Sequence, residues 1–192
     1  MVLFTDESRF NIFRTDGRRR VYRRRNERYA DCCIMERDRF GGGSVMVWDG
    51  IAYGRRTQSH IIRGNINAIR YLDDILSPHL VPFLQQHNLK LQKKKDRPHV
   101  ARICTAYLQA HNNCVLPWPA FSLDLNPIEH HWDELHRRVR RGDNPPSSLP
   151  DLEQALLQKW NKNTQMTVNN IIYAITRRVQ SAPDANGRHT RY

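Results

Sequence analysis

The hydrophobic periodicity of the chain changes once, near Asn67, and that change restricts the fold more than any other feature. Before it the pattern is short and β-like. Val2 to Phe4 is an apolar run that stops at Thr5-Asp6-Glu7, and the stretch 9–13, RFNIF, alternates. Thr15-Asp16-Gly17 signals a turn, after which RRRVYRR resumes a β-prone pattern, as expected of a hairpin. Gly41-Gly42-Gly43 precedes the strand candidate SVMVW, and Ile51-Ala52-Tyr53 and His60-Ile61-Ile62 flank a turn at Gly54-Arg55-Arg56.

After Asn67 the spacing is helical. Ile69, Leu72, Leu76 and Leu80 form one face, with Pro78 expected to kink or end the helix. A strand at Leu89, a helix over 101–111 and a short strand at Cys114-Val115-Leu116 follow. The clearest helix starts at Asn126, a good N-cap, with Pro127 in the first helical position. Its apolar stripe is Ile128, Trp132, Leu135 and Val139, and Gly142 ends it. Asp143 to Pro150 reads as a linker, and helices are expected over 151–162 and 167–181. Strands first, then alternating helix and strand, predict an α/β fold: a mixed sheet covered by helices. A site is expected where acids stand at strand ends beside a helix start.

Asp6 and Glu129 are the acids in such places. A buried ionised carboxylate at Asp6 requires a metal, a cation or capping hydrogen bonds. An ordinary turn aspartate satisfied by backbone amides fits the local sequence equally. From spacing alone, Glu129 completes a capping box with Asn126.

Charge then narrows the partners. Over 192 residues, 31 Lys and Arg stand against 19 Asp and Glu, a formal charge of +12. Such a balance favours a polyanion, above all nucleic acid, and is silent about the fold. Arg18, Arg19, Arg20, Arg23, Arg24 and Arg25 crowd around Tyr22, suiting phosphate contacts with a stacking aromatic. A nuclear import signal and a solvated hairpin face fit the same residues. GGGSVMVW is not a phosphate loop, because its glycines precede a strand and not a helix. Cys32, Cys33, Cys104 and Cys114 lack metal-ligand spacing, and His130, His131 and His136 lack zincin spacing. Free thiols, the absence of a membrane-length apolar run and a start without a signal peptide's pattern point to a reducing interior, with no membrane partner.

Several stretches taken in order resemble the catalytic domain of Tc/mariner-type transposases: VLFTDESRFN, DGRRRVYRR, GGGSVMVWDGI, RPHVAR, WPAFSLDLNPIEHHWDEL and the terminal GRHTRY. The resemblance runs from Val2 to about Arg141, and the tail matches too. It implies an RNase H-like fold over 1–142, followed by a linker and C-terminal helical extension over 143–192. It also implies cutting and joining of DNA by Mg²⁺ or Mn²⁺ ions held by a carboxylate triad. In such sites two ions about 3.5–4 Å apart activate the attacking hydroxyl and stabilise the leaving oxygen, and hard ions take oxygen ligands. The implied partners are DNA and another transposase subunit, with no small-molecule substrate, and the implied compartment is the nucleus.

The resemblance makes Asp6 the first acid and Glu129 the third, both as metal ligands. The second acid opens a D-N-x-R-P-H motif, with 34 residues between it and the final Glu. Both the count and the anchor Arg97-Pro98-His99 land on position 94, which here is Lys94, followed by Lys95 where Asn is usual. Lysine has three donors and no acceptor. Asp96 is a possible substitute, although on an extended backbone it lies roughly 6–7 Å further along. Leu123 replaces a usual Pro, and Asp49 replaces a usual Gly after Trp48, where it is expected to strain a turn. Family members carry helix-turn-helix modules ahead of the catalytic domain. Met1 stands at the first catalytic strand, so sequence-specific end recognition is expected to be missing. Two functions follow: a metal-dependent transposase catalytic domain, inactive here through Lys94, or a non-catalytic remnant that binds DNA or a protein partner through its basic surface.

Overall fold

The computed structural model describes residues 1–12, 43–92, 97–116, 125–141 and 145–181, without the side chains of position 97 and of 176–181. β1 (Val2–Asn11) lies inside the sheet. It pairs antiparallel with β2 (Ser44–Ala52) on one side and parallel with β5 (Lys90–Gln92) on the other. β2 carries two short antiparallel partners, β3 (Arg55–Arg56) and β4 (His60–Ile62). The expected strand at 114–116 is reduced to one parallel bridge, Leu91 to Val115, held by 2.8 Å bonds from the Leu91 amide to the Cys114 carbonyl and from the Leu116 amide to the Leu91 carbonyl.

The apolar run at 2–4 and the alternation beginning at Arg9 are one ten-residue strand, not two elements. Thr5-Asp6-Glu7 does not end it, because β2 runs opposite from Phe4↔Ile51 to Asn11↔Ser44 and offers a partner at every residue. Asp6 is therefore in mid-strand, not at a strand end.

Alternation sends successive side chains of β1 to opposite faces. Leu3, with Trp48, Ala52 and Leu91, packs under Tyr71, Ile75, Leu76, Leu80, Leu84 and Leu108. Phe4 and Phe10, with Val45, Val47 and Ile51, pack under Ile128, Trp132, Leu135 and Val139. Both faces are covered, as the mixed sheet expected from the sequence requires.

The helical stretch after Asn67 runs through Pro78. It consists of α1 (Ala68–Tyr71), a π-helical segment (Leu72–Leu80) and α2 (Val81–His87). Asn67 caps it by accepting from the Arg70 amide at 2.9 Å. Proline normally stops a helix through its missing N–H and its clash with the carbonyl four residues back. The wider π turn reaches five residues back instead, as in the bond from the Val81 amide to the Leu76 carbonyl, and so accommodates the ring. Asn88, left-handed at φ 48°, turns the chain into β5.

α3 (Arg97–Val100) and α4 (Arg102–Ala110) follow, then α5 (Pro127–Arg140), α6 (Leu149–Asn161) and α7 (Gln165–Ser181). α6 begins inside the expected linker. Ser148 caps it by accepting from the Asp151 amide at 3.3 Å, and Pro150 falls in the first turn, where a missing N–H costs nothing. The expected boundary at 142–143 lies outside the described residues. Leu152, Leu156, Trp160 and Val168 share the core under α5. No helix among the described residues is long and apolar enough to cross a membrane.

Leu91 is fully buried at the junction of β1, β5 and the Val115 bridge. Leu91→Ala is expected to lower the unfolding free energy by about 2–5 kcal/mol, through lost transfer and a residual cavity. Urea denaturation checks this.

Candidate active site

Asp6 projects from β1 toward α5 and is 1 % exposed. Its Oδ1 accepts from the Glu7 amide at 2.7 Å, and its Oδ2 accepts from the Trp132 indole Nε1–H at 3.2 Å. Trp132 lies one turn after Glu129 on α5, and residues three apart on a helix are neighbours. The fold thus brings the Asp6 carboxylate to the first turns of α5, where Glu129 is half-buried. The apolar stripe of α5 fixes this approach: Ile128, Trp132, Leu135 and Val139 are all buried on the sheet. The expected cap is different. Pro127 occupies the first turn, but the Asn126 side chain makes no cap bond, and its buried Oδ1 meets no donor among the described residues.

Asp49 is a carboxylate the sequence misplaced. It lies within β2 and in no turn, directly opposite Asp6 in the register and on the same sheet face. Directly opposed side chains on antiparallel strands have Cβ atoms about 4.5–5.5 Å apart. Asp49 is fully buried. The Ser59 hydroxyl donates to its Oδ2 at 3.2 Å, while its Oδ1 meets no donor among the described residues. Burial pushes its carboxyl well above the usual range, against the pull of the Ser59 hydroxyl and the Arg56 guanidinium. The neighbouring Gly50 lets the chain return close enough to bring Ser59 there. A Cβ on Gly50 would stand 3.0 Å from Thr57 Cγ2, while the Gly50 amide donates to Thr57 Oγ1 at 2.8 Å.

A buried polar latch holds α5 to the C-terminal helices. Asn163 Nδ2 bonds the His131 ring at 3.1 Å, and Arg138 donates to Asn163 Oδ1 at 3.1 Å. Arg56 donates to the Asn161 and Asn163 carbonyls at the end of α6 and lies over the Trp160 ring. The Trp160 indole donates to the Thr57 carbonyl at 3.0 Å. Histidine spacing alone carried no sign of this role for His131.

On the opposite face of β1, Glu7 pairs with His99 at 3.0 Å, and the His99 ring lies 4.3 Å from that of the buried Tyr71. The RPH stretch is therefore tied to the residue next to Asp6. Gln92 at the end of β5 is buried, and it pairs with Phe4, two residues before Asp6.

Lys94, Lys95 and Asp96 lie outside the described residues, as do Arg18, Arg19, Arg20, Arg23, Arg24, Arg25, Leu123, Cys32 and Cys33. The buried Cys104 thiol donates to the Ala68 carbonyl at 3.2 Å, and Cys114 is an exposed free thiol. Among the described residues no group of three His, Cys, Asp or Glu is placed to hold one ion. In kind the acids fit a hard divalent cation, since every donor is oxygen and Asp49 offers a buried oxygen with no partner among the described residues. In number, the described residues bring only Asp6 and Asp49 side by side, with Glu129 on the helix above.

No family model matches the chain. The chain is 31 % identical to the transposable element Tc1 transposase of Caenorhabditis elegans over 99 % of its own length and 70 % of that protein. It is 31 % identical to the Tcb1 transposase of Caenorhabditis briggsae, with the same coverage. The Tc3 transposase of Caenorhabditis elegans is 30 % identical over 83 % of this chain and 48 % of that protein. Among solved structures, the Mos1 transposase paired-end complex with the left transposon end superposes with a TM-score of 0.73 at 16 % identity, covering 98 % of this chain and 56 % of that one. The Mos1 catalytic domain with raltegravir and Mg gives 0.70 at 16 % identity, covering 98 % of this chain and 85 % of that one. At that identity the likeness shows the fold, the RNase H-like arrangement expected from the sequence.

His131 generates a pH prediction. Burial, with the Arg56 and Arg138 guanidiniums, pushes its pKa down to about 4, against the pull of Glu134. In the unfolded chain it binds a proton near pH 6.5. Between those values the unfolded state binds more protons, so stability falls as pH drops from about 6.5 to about 4. The loss attributable to this ring is roughly 3 kcal/mol. Denaturation across that window should show a flatter loss for His131→Gln than for the unmodified chain; equal slopes would mean the ring takes its proton without unfolding.

Proposed function

This chain belongs to the Tc/mariner transposase family, and on that premise we propose that it is a DNA-cutting and DNA-joining catalytic region disabled by one substitution. The acid set is Asp6, position 94 and Glu129, with Lys94 in the second place. The register of the sheet carries this reading. β1 and β5 run parallel with Val2↔Lys90, Leu3↔Leu91 and Phe4↔Gln92. Gln92, the last described residue of β5, thus pairs two residues before Asp6, and position 94 follows it by two residues in the sequence. The family motif count reaches position 94 by a separate route. The Glu7–His99 contact supports it again, because the chain is tied to β1 on both sides of 93–96.

Bound Mg²⁺ or Mn²⁺ would activate an attacking hydroxyl and neutralise the leaving oxygen, and Asp6 and Glu129 are the residues that would hold it. The Trp132 indole orients Asp6, and the α5 stripe holds Glu129 over the sheet. Lys94 reverses the local charge by two units and contributes no acceptor. Two unit charges 4 Å apart interact by about 4 kcal/mol at an effective dielectric of 20, and a divalent ion doubles that. The ammonium thus opposes the second cation while removing its ligand oxygens. On an extended backbone Asp96 would lie roughly 6–7 Å further along, and catalysis is sensitive to shifts of even about 1 Å. The substrate is DNA, met through the basic stretch at Arg18, Arg19, Arg20, Arg23, Arg24 and Arg25. The compartment is the nucleus, and the natural assembly includes a second transposase subunit.

The unmodified chain is expected to nick no supercoiled plasmid with Mg²⁺ or Mn²⁺. Lys94→Asp is expected to introduce nicking, more so when joined by Lys95→Asn, and Asp6→Ala controls for contaminating nuclease. Nicking by the unmodified chain that disappears in Asp6→Ala would defeat this reading and point to Asp96 as the second ligand.

DNA binding is expected to be indifferent to sequence and to fall steeply with salt, because phosphate contacts release counterions. Replacing the six arginines from Arg18 to Arg25 with Ser should lower both the affinity and the slope of log affinity against log salt. An unchanged slope would assign the contact to another surface.

A further inference from the structure

We propose that Asp49 is a second carboxylate ligand of the Asp6 site, and that the pair binds a single hard divalent cation on the β2 side of Asp6. The two residues are exact register partners, Asp6↔Asp49, on adjacent antiparallel strands and on one face of the sheet. Both are buried, at 1 % and 0 % exposure. Side chains so opposed lie within the span that one shared ion bridges. Ionised carboxylates on directly opposed buried positions raise each other's energy, and a shared cation lowers it.

The hydrogen bonds of Asp49 favour a ligand role over a structural one. Ser59 holds Oδ2 at 3.2 Å and fixes the carboxylate plane, while Oδ1 is buried without a donor among the described residues. Arg56 is near enough to attract Asp49, but its guanidinium donates to the Asn161 and Asn163 carbonyls and not to Asp49. A buried acceptor with no donor, beside a second carboxylate, is what a hard cation satisfies. Magnesium-class ions commonly take one or two carboxylates and keep several waters.

This inference rests on Asp6 being the site carboxylate, as proposed above. It places the ion between β1 and β2, at the Asp6↔Asp49 pair. One ion in that place does not recreate a two-ion site, so the chain binds a cation and does not cut.

The probe is Mn²⁺ titrated into the whole unmodified chain, read by electron paramagnetic resonance of free Mn²⁺ and by calorimetry. One ion is expected to bind at millimolar or lower concentration and to be displaced by Mg²⁺. Asp49→Asn, which keeps the shape and an acceptor for Ser59, should weaken binding at least tenfold, and Asp49→Gly should do the same. Absence of binding in the unmodified chain overturns the proposal, as does unchanged affinity in both variants. A measurement needing no variant backs these up: Mn²⁺ should broaden the amide signals of Asp6, Asp49, Gly50 and Ser59 first, and broadening centred elsewhere overturns the proposal. The two readings fail separately. Nicking by Lys94→Asp without Mn²⁺ binding by the unmodified chain defeats the Asp49 site alone. Asp49-dependent Mn²⁺ binding without nicking by Lys94→Asp defeats the disabled-triad reading alone.

Discussion

The bond from the Trp132 indole to the Asp6 carboxylate, 3.2 Å long, joins segments 126 residues apart in sequence. A carboxylate in the middle of a covered strand is a liability unless its oxygens are satisfied. Meeting that requirement sets the geometry around it. α5 must lie across β1 at the level of Asp6, which puts Glu129 one turn away and commits Ile128, Leu135 and Val139 to the same sheet face. The latch through His131, Asn163, Arg138 and Arg56 then holds α6 and α7 beside that helix, over the same core. The C-terminal helices are packed into the core that holds the site.

β1 is the element on which both faces depend. Its even positions meet α5, and Glu7, an odd position, meets His99 and the buried Tyr71. A single residue step along the strand therefore separates the acid of the site from the residue that anchors the RPH stretch. Each side of β1 also has a neighbour of consequence. β2 presents Asp49, and β5 sets the buried Gln92 opposite Phe4. Acids on neighbouring strands and on a helix above them need not be close in sequence, only share a face and a level.

Membership of a transposase family and the capacity to cut DNA are separate properties, because they are encoded by different residues. The described strand pairings, the α5 stripe and the two-sided core make the fold. A chain can keep every one of these and lose its chemistry through one side chain. Asp49 has the opposite character: it is a buried carboxyl that the backbone register alone sets opposite Asp6.

Much of this was legible from the order of residues. The change of periodicity near Asn67 announced a covered mixed sheet, and the spacing of Ile128, Trp132, Leu135 and Val139 marked α5 and its buried face. The motif run singled out Asp6, Glu129 and position 94 as the acid set proposed above, because side-chain chemistry and spacing are properties of the chain itself. The length of β1, the passage of the helix through Pro78, the unused side chain of the Asn126 cap and the burial of His131 were not legible. Each is settled by what the segment packs against and not by its own propensity. Asp49 illustrates the limit most plainly. Read along the chain it is an acid beside a glycine, with the look of a turn. Only strand pairing, which fixes the partner of every residue at once, places it opposite Asp6 and removes it from water.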